Sequence, residues 1–209
     1  MNLATARSRI KARLNYTDTD LDGEIDSVIR ELITQELELE PELPWFLLSE
    51  EAEANTAIGD DRLAVPTDFL REYEYGALWL KESDGTLTAL PKYEMDVLVR
   101  ELRGSGKPRA YALTGKYFRL FPTPDQQYTV RMVYYKRSAA LNADTDTNEW
   151  LTEVPWLVVA GAARVVAEQY LRDGPLADRL QAEYQRARMR LMVADEARRN
   201  ANLRMEMGD

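Results

Sequence analysis

The sequence predicts an α+β fold, a helical bundle made from N- and C-terminal helices with a small antiparallel β-sheet module inserted between them. Three observations predict it. Apolar residues recur at helical spacing near both ends of the chain. Between those ends lie short alternating segments separated by turn residues. Neither helical end carries enough apolar face to build a core alone, so the two must share one. The 209 residues, 45% hydrophobic and 30% charged, have an ordinary globular composition. The expected organisation has four stretches. N-terminal helices and an acidic segment at 1–61 begin the bundle, and the inserted β module takes 62–137. C-terminal helices at 138–194 complete the bundle, and a tail follows at 195–209. No internal repeat or low-complexity run appears.

The elements follow in chain order. Leu3, Ala6, Ile10 and Leu14 share one helical face, and Asn15-Tyr16-Thr17-Asp18 breaks it. Ile25, Val28, Ile29, Leu32 and Ile33 then repeat with the spacing of a second helix that buries one stripe. Asp20 or Asp22 is expected to cap its start, with Glu24 and Asp26 suited to the positive end of the helix dipole. Pro41 and Pro44 stop it.

The middle reads as strands. Arg71–Leu80, the turn Ser83-Asp84-Gly85 and Thr86–Leu90 suggest a hairpin. Lys92–Leu102 suits a short helix, and Gly104-Ser105-Gly106-Lys107-Pro108 a loop. Ala110–Leu113 and Tyr117–Phe121 alternate as a strand pair. Pro122–Asp125 turns into a strand at Tyr128–Lys136.

Helix returns after the polar stretch Asp144–Asn148. Thr152 is expected to cap a helix with Pro155 in its first turn, running through Gly161-Ala162-Ala163 to Leu171. Asp173-Gly174-Pro175 reads as a stop and restart, with Gly as the C-terminal cap. Leu176, Leu180, Tyr184, Ala187, Leu191 and Ala194 mark the last helix. Beyond Asp195 the stripe is lost, which suits a tail or a helix that orders on a partner.

Composition narrows the chemistry. There is no histidine and no cysteine. Histidine-based triads, zinc hydrolases, thiolate nucleophiles and disulfides are therefore excluded. A carboxylate or Lys/Tyr enzyme stays open, yet no motif places a catalytic pair. No cofactor and no metal is expected. The stretch Trp156–Leu171 is interrupted by Arg164, Glu168 and Gln169 and is shorter than the roughly 20 apolar residues of a span, so no membrane association is expected. Residues 1–13 carry four basic residues with no apolar run after them, so no targeting signal is expected.

Charge is uneven. Arg7, Arg9, Lys11 and Arg13 make the first 13 residues basic, while 31–61 hold ten acids and no base in a chain of net charge −9. Such a block argues against a grip on nucleic acid, because phosphate contacts need Lys and Arg.

Three local patterns imitate known sites. Asp18–Asp26 imitates a calcium loop, but Ile29 stands at the closing position that needs a bidentate Glu, so a capped helix start is expected instead. Gly104–Lys107 is too short for a phosphate loop, and Pro108 forbids the helix that should follow. Tyr134-Tyr135-Lys136-Arg137, with Tyr111, Tyr117 and Phe118, offers aromatics among bases. This carries the alternative of a carbohydrate- or nucleic-acid-binding module, against a plain sheet core. The arginine-rich run Arg186-Ala187-Arg188-Met189-Arg190, with Arg198 and Arg199, suits carboxylate recognition at a protein interface.

The order of these signals resembles the head-to-tail adaptor proteins of tailed bacteriophages. The resemblance is carried by Leu14-Asn15-Tyr16-Thr17-Asp18 after a short opening helix and by Leu63-Ala64-Val65-Pro66-Thr67-Asp68-Phe69-Leu70. It continues in Gly106-Lys107-Pro108-Arg109-Ala110-Tyr111-Ala112 and in Leu120-Phe121-Pro122-Thr123-Pro124-Asp125 leading to Tyr134-Tyr135-Lys136. Asn148-Glu149-Trp150-Leu151 and Tyr170-Leu171 bracket a matching helix. The resemblance implies a non-enzymatic virion structural protein at the neck between head and tail, assembled in the host cytoplasm. It implies a ring, commonly dodecameric, joining the portal protein to the tail or nozzle protein, with genomic DNA passing without specific binding.

Two residue sets follow from that implication. Leu203, Met205 and Met207 among Arg198, Arg199 and Arg204 form a small apolar set between cations, suited to docking on the portal. Glu36, Glu38, Glu40, Glu42, Glu50, Glu51 and Glu53 would line or border the DNA path, where negative charge lets DNA slide.

Overall fold

The computed structural model describes the backbone of residues 1–74, 76–101 and 104–206, and the side chains of these apart from 50, 51, 101 and 199–206. In chain order the helices and strands are α1 (Leu3–Leu14), α2 (Asp22–Glu31), β1 (Leu48–Asn55), β2 (Arg62–Ala64), β3 (Phe69–Glu72), β4 (Leu78–Lys81), β5 (Leu87–Ala89) and α3 (Met95–Glu101). There follow β6 (Ala110–Thr114), β7 (Tyr117–Phe121), β8 (Thr129–Lys136), α4 (Glu149–Glu153), α5 (Pro155–Gln169) and α6 (Gly174–Glu206). This is an α+β fold of helices and two small antiparallel sheets. The chain forms two compact units, Met1–Leu47 with Ser138–Asp209, and Leu48–Arg137.

The helical unit is organised around α5. Leu157 to Ala163, Val166 and Ala167 are buried around most of its circumference. Helices α1, α2, α4 and α6 all pack against it. The stripe of α1 (Leu3, Ala6, Ile10, Leu14) is buried, and so is that of α2 and its continuation (Ile25, Val28, Ile29, Leu32, Ile33). After Glu31 the helix widens into a π turn, Leu32–Glu36, then tightens into a 3₁₀ turn, Leu37–Leu39. An inserted residue of this kind changes which side chains face inward. Leu37 and Glu38 are both buried as a result.

Small residues on α5 let its neighbours approach. A Cβ built on Gly161 would lie 2.8 Å from Leu32 Cδ2 and 2.9 Å from Tyr184 Cε2. The Tyr184 ring has little freedom to retreat. Its hydroxyl donates to Glu36 Oε1 at 2.7 Å, and the Arg164 guanidinium lies 4.9 Å from its centroid. Arg164 also donates to Glu36 Oε2 at 3.0 Å and Gln181 Oε1 at 3.2 Å. Burial, then the bond to Glu36, pushes the Tyr184 phenol well above its ordinary pKa.

The two chain segments of this unit are tied at their ends. Arg7 grips Asp26 through two bonds of 2.8 and 2.5 Å and Asp144 through one of 2.6 Å. The backbone N–H groups of Leu3 and Ala4 donate to the carbonyls of Asp146 and Asp144. Arg30 reaches the Leu141 carbonyl at 2.6 Å.

Helix termini differ from expectation in three places. Neither Asp20 nor Asp22 caps α2. Leu21 holds that position without a side-chain bond. The aspartates are taken by other donors, Asp20 by the Tyr16 hydroxyl and Asp22 by Lys11 Nζ at 2.7 Å. Thr152 is not a cap either. Asn148 caps α4 by accepting from the Leu151 N–H at 3.0 Å, and Pro155 opens α5 directly afterwards. Gly174 is the first residue of α6 rather than the end of α5. The left-handed residue between the two helices is Arg172 at φ 53°, and Asp173 caps α6 by accepting from the Leu176 N–H at 3.0 Å.

The last helix also runs further than its apolar stripe. Helix α6 continues to Glu206, so 195–206 extend a helix instead of leaving it as a separate tail. Asp195 is buried and accepts from the Trp45 N–H at 3.0 Å, and Arg198 stacks 4.4 Å from the Trp45 ring centroid. A polar anchor of this kind is invisible to hydrophobic periodicity.

The sheet unit is centred on β8. One edge of β8 pairs with β1, and the other with β4 and then β3. Strand β5 extends the sheet beyond β4, and β2, β7 and β6 form the second sheet. Residues 48–55, grouped with the helices on charge alone, thus form a strand of this unit. Alternation directs the packing. Leu63, Leu78, Leu80, Tyr111, Phe118, Leu120, Val130 and Met132 meet in one core drawn from both sheets. On the other face of β6, Ala110 and Ala112 pack with Phe121 against Leu98 of α3.

The close approach at Gly161 yields a test. Gly161→Ala gains about 1 kcal/mol in helix propensity. It also forces a methyl into a contact under 3.0 Å with a pinned ring, and overpacking costs about 1–3 kcal/mol. The expected outcome in urea unfolding is a net loss of stability for Gly161→Ala and a larger one for Gly161→Val. A stabilised Gly161→Ala would show that the ring gives way freely.

Candidate functional site

The acidic block comes first, because its charge dominates the sequence. Six of its ten acids are engaged within their own units. Glu36 receives Arg164 and Tyr184, and Glu40 pairs with Arg188. Glu53 takes Lys81 at 2.9 Å, Asp60 takes Arg62 at 3.0 Å, and Asp61 takes Arg119 at 2.5 Å. Glu38 is 2% exposed and accepts from the Ser138 N–H at 2.8 Å and the Ser138 hydroxyl at 2.6 Å. Glu42 is exposed, while the side chains of Glu50 and Glu51 lie outside the described residues. Glu36, Glu38 and Glu40 therefore serve the helical unit, and Glu53 belongs to a strand of the other unit. Most of the cations that meet these acids stand far away in sequence, so no local spacing could have announced those pairs.

The residues assigned to docking divide similarly. Arg198 is placed on Trp45. The side chains of Arg199, Leu203, Arg204 and Met205, and all of Met207, lie outside the described residues. What sequence reasoning missed is the clamp preceding them, Trp45 held between Asp195 and Arg198. Beside the clamp is an apolar recess of about 280 Å³ lined by Leu37, Pro41, Pro44, Trp150, Leu191 and Met192. The indole N–H of Trp150 is buried without an acceptor among the described residues.

Four aromatics of the β unit are committed to its core. Tyr111, Phe118, Tyr134 and Tyr135 are at most 4% exposed. The Tyr111 hydroxyl donates to Glu72 Oε1 at 3.0 Å and accepts from the Ala77 N–H at 3.2 Å, while Tyr134 donates to Asp68 Oδ1 at 2.8 Å. Phe69 packs edge-on against Phe118 at 5.7 Å. Tyr117 is 42% exposed, with Arg62 5.8 Å from its ring centroid. Tyr93, 49% exposed, is also open, but among the described residues no ring contact joins it to Tyr117 into a row on which successive bases or sugars could stack.

The motif imitations resolve on the same principle. In the calcium-like loop Asp20, Asp22 and Asp26 are each held by a donor from the N-terminal segment, and Ile29 is fully buried. Among the described residues, no group of three or more acids could hold a metal ion. Lys107, of the loop that imitates a phosphate cradle, is paired with Glu82 at 2.6 Å. No helix of the described residues is long and apolar enough to cross a membrane.

Most of the polar groups described above are thus engaged in bonds within their own units. Comparison with known families puts the chain among phage adaptor proteins, which are structural proteins of the virion that contact other head and tail proteins. It matches the family described as SU10 adaptor protein over residues 1–206, and it belongs to that family. No curated protein matches it.

The contrast between buried and exposed acids gives a prediction. Glu38→Ala strands two donors of Ser138 and is expected to cost about 1–3 kcal/mol. Glu42→Ala is expected to stay within about 0.5 kcal/mol of wild type. Chemical unfolding of the two variants checks this, and equal effects would show that Glu38 is not a structural acid.

Proposed function

We propose that the protein is a non-enzymatic head-to-tail adaptor that joins the portal protein to the tail or nozzle protein at the neck of the virion. The observation that carries this reading is the family match, which takes in both compact units and all but the last three residues. On this reading identical copies form a ring, commonly dodecameric in such adaptors, and the ring continues the channel through which genomic DNA passes. Assembly takes place in the host cytoplasm.

The acidic segment 31–61 borders that channel in the proposal, with Glu42 among its exposed members. A chain of net charge −9 repels the DNA backbone at long range. Docking on the portal is assigned to the end of α6 and the residues after it, with Arg199, Leu203, Arg204, Met205 and Met207 making the contact. Methionine, which adapts its shape in packing, suits a groove edged by carboxylates when arginines stand beside it. A ring multiplies each such contact, since after one subunit docks the others bind at high effective concentration.

Two measurements test the proposal. Deletion of 199–209 keeps Asp195 and Arg198 on Trp45, so a cooperative melt is expected together with loss of co-sedimentation with the purified portal. Loading at wild-type occupancy would remove the docking role from this segment. Deletion from 195 is a different experiment, because it cuts the anchor itself and is expected to lower the melting temperature. In the second measurement, no retention of double-stranded DNA is expected at moderate salt. Tight, salt-sensitive retention would overturn the sliding-channel reading.

A further inference from the structure

The helical unit carries an outward face on α6 that its own described residues leave exposed. The inner side of α6 is Ala177, Leu180, Tyr184 and Ala187, all buried. Half a turn away lie Arg179, Arg186, Met189, Arg190 and Val193, all exposed. Met189 is 65% and Val193 66% exposed, unusually open for apolar side chains on a well-packed helix. None of the three arginines forms an ion pair among the described residues, and Arg186 donates only to the Ala182 carbonyl of its own helix. Three uncompensated cations around two apolar side chains form a coherent surface in a chain whose net charge is −9.

A complementary surface exists on the same unit. Between α2 with its π turn and α5 runs a groove of about 410 Å³ whose walls include Val28, Leu32 and Val165. Glu31 and Glu168 stand exposed at this groove without a hydrogen bond or ion pair among the described residues. The cation in the groove, Arg164, is already committed to Glu36. The groove is thus negative at its edges with apolar side chains in its wall, the inverse of the α6 face.

We propose that the outward face of α6 in one copy seats in the α2/α5 groove of a second copy, Arg186 and Arg190 meeting Glu31 and Glu168. The inference rests on the adaptor reading and names which surfaces join neighbouring subunits. Charge selects the geometry. A two-fold contact of α6 on α6 would bring like cations together, which opposes association. A face-to-groove contact uses two different patches, so every copy keeps one patch free for the next. Such head-to-tail contacts close into rings when the rotation per subunit allows.

The test is a charge swap read by sedimentation velocity on full-length protein. One variant is Arg186→Glu with Arg190→Glu, the other Glu31→Arg with Glu168→Arg. All four positions are exposed, and unchanged circular dichroism and melting verify the fold. Wild type is expected to associate at low salt and to weaken as salt rises. Each variant alone is expected to lose about tenfold or more in association constant, since like charges then face each other at the contact. An equimolar mixture is expected to recover association, because the acidic face of the first variant fits the basic groove of the second and the reverse pairing also matches. Variants that associate like wild type, a mixture that does not recover, or a wild type monomeric at low salt would each overturn the proposal. Parallel loading on the portal separates the two claims. If wild type fails to load while the swapped pair associates, the adaptor role fails and this contact stands. If wild type loads and both variants load equally, the contact fails and the adaptor role stands.

Discussion

The helical unit depends on how closely α5 can be approached. Gly161 leaves room for Leu32 from one neighbour and the Tyr184 ring from another. Tyr184 in turn is fixed by Glu36 and stacked on by Arg164. A glycine that costs helix propensity is thereby joined to a buried phenol, a carboxylate and a guanidinium in one cluster. Its members come from the π turn after α2, from α5 and from α6, so forming it brings together both ends of the chain. The π turn belongs to the same constraint, because it supplies Leu32 to the contact and Glu36 to the phenol.

Electrostatics follow a similar division. Several acids of the block 31–61 meet a cation from a distant stretch, as Glu40 does with Arg188 and Asp61 with Arg119. Exposed pairs contribute little each, whereas a carboxylate buried against backbone and hydroxyl donors, as at Glu38, is costly to remove. The negative block is therefore less a uniform wall than a set of internal ties with a few acids left outside. Three exposed cations without an ion pair among the described residues, Arg179, Arg186 and Arg190, share the outer side of α6, and exposed acids stand at the α2/α5 groove. An assembly protein needs charge in both roles, ties that hold the subunit and patches that choose a neighbour.

The β unit turns Tyr111, Phe118, Tyr134 and Tyr135 inward. Tyr111 and Tyr134 each bury a ring and satisfy a hydroxyl on Glu72 or Asp68, so they are amphipathic core residues rather than open platforms. The order of short motifs along the chain, from Pro66-Thr67-Asp68-Phe69 through Gly106-Lys107-Pro108 to Tyr134-Tyr135-Lys136, resembles the adaptor family because those motifs mark the turns and buried strands of this unit. Asp68 accepting from Tyr134 is one such motif joined to another in space.

The order of amino acids was enough for the α+β class and for the buried stripes of α1 and α2. It was enough, too, for the turns at Ser83-Asp84-Gly85 and Pro122–Asp125 and for the family resemblance. These are local properties, set by side-chain periodicity and by the backbone preferences of glycine, proline and asparagine. Long-range packing settled which acids are structural, how far α6 runs, and that residues 48–55 pair with β8. Most of these depend on partners tens of residues away. Asp195 lies beyond the apolar stripe, yet a backbone N–H at Trp45 draws it into the unit. A hydrogen bond between distant residues leaves no period in the sequence, whereas hydrophobic burial along a helix does.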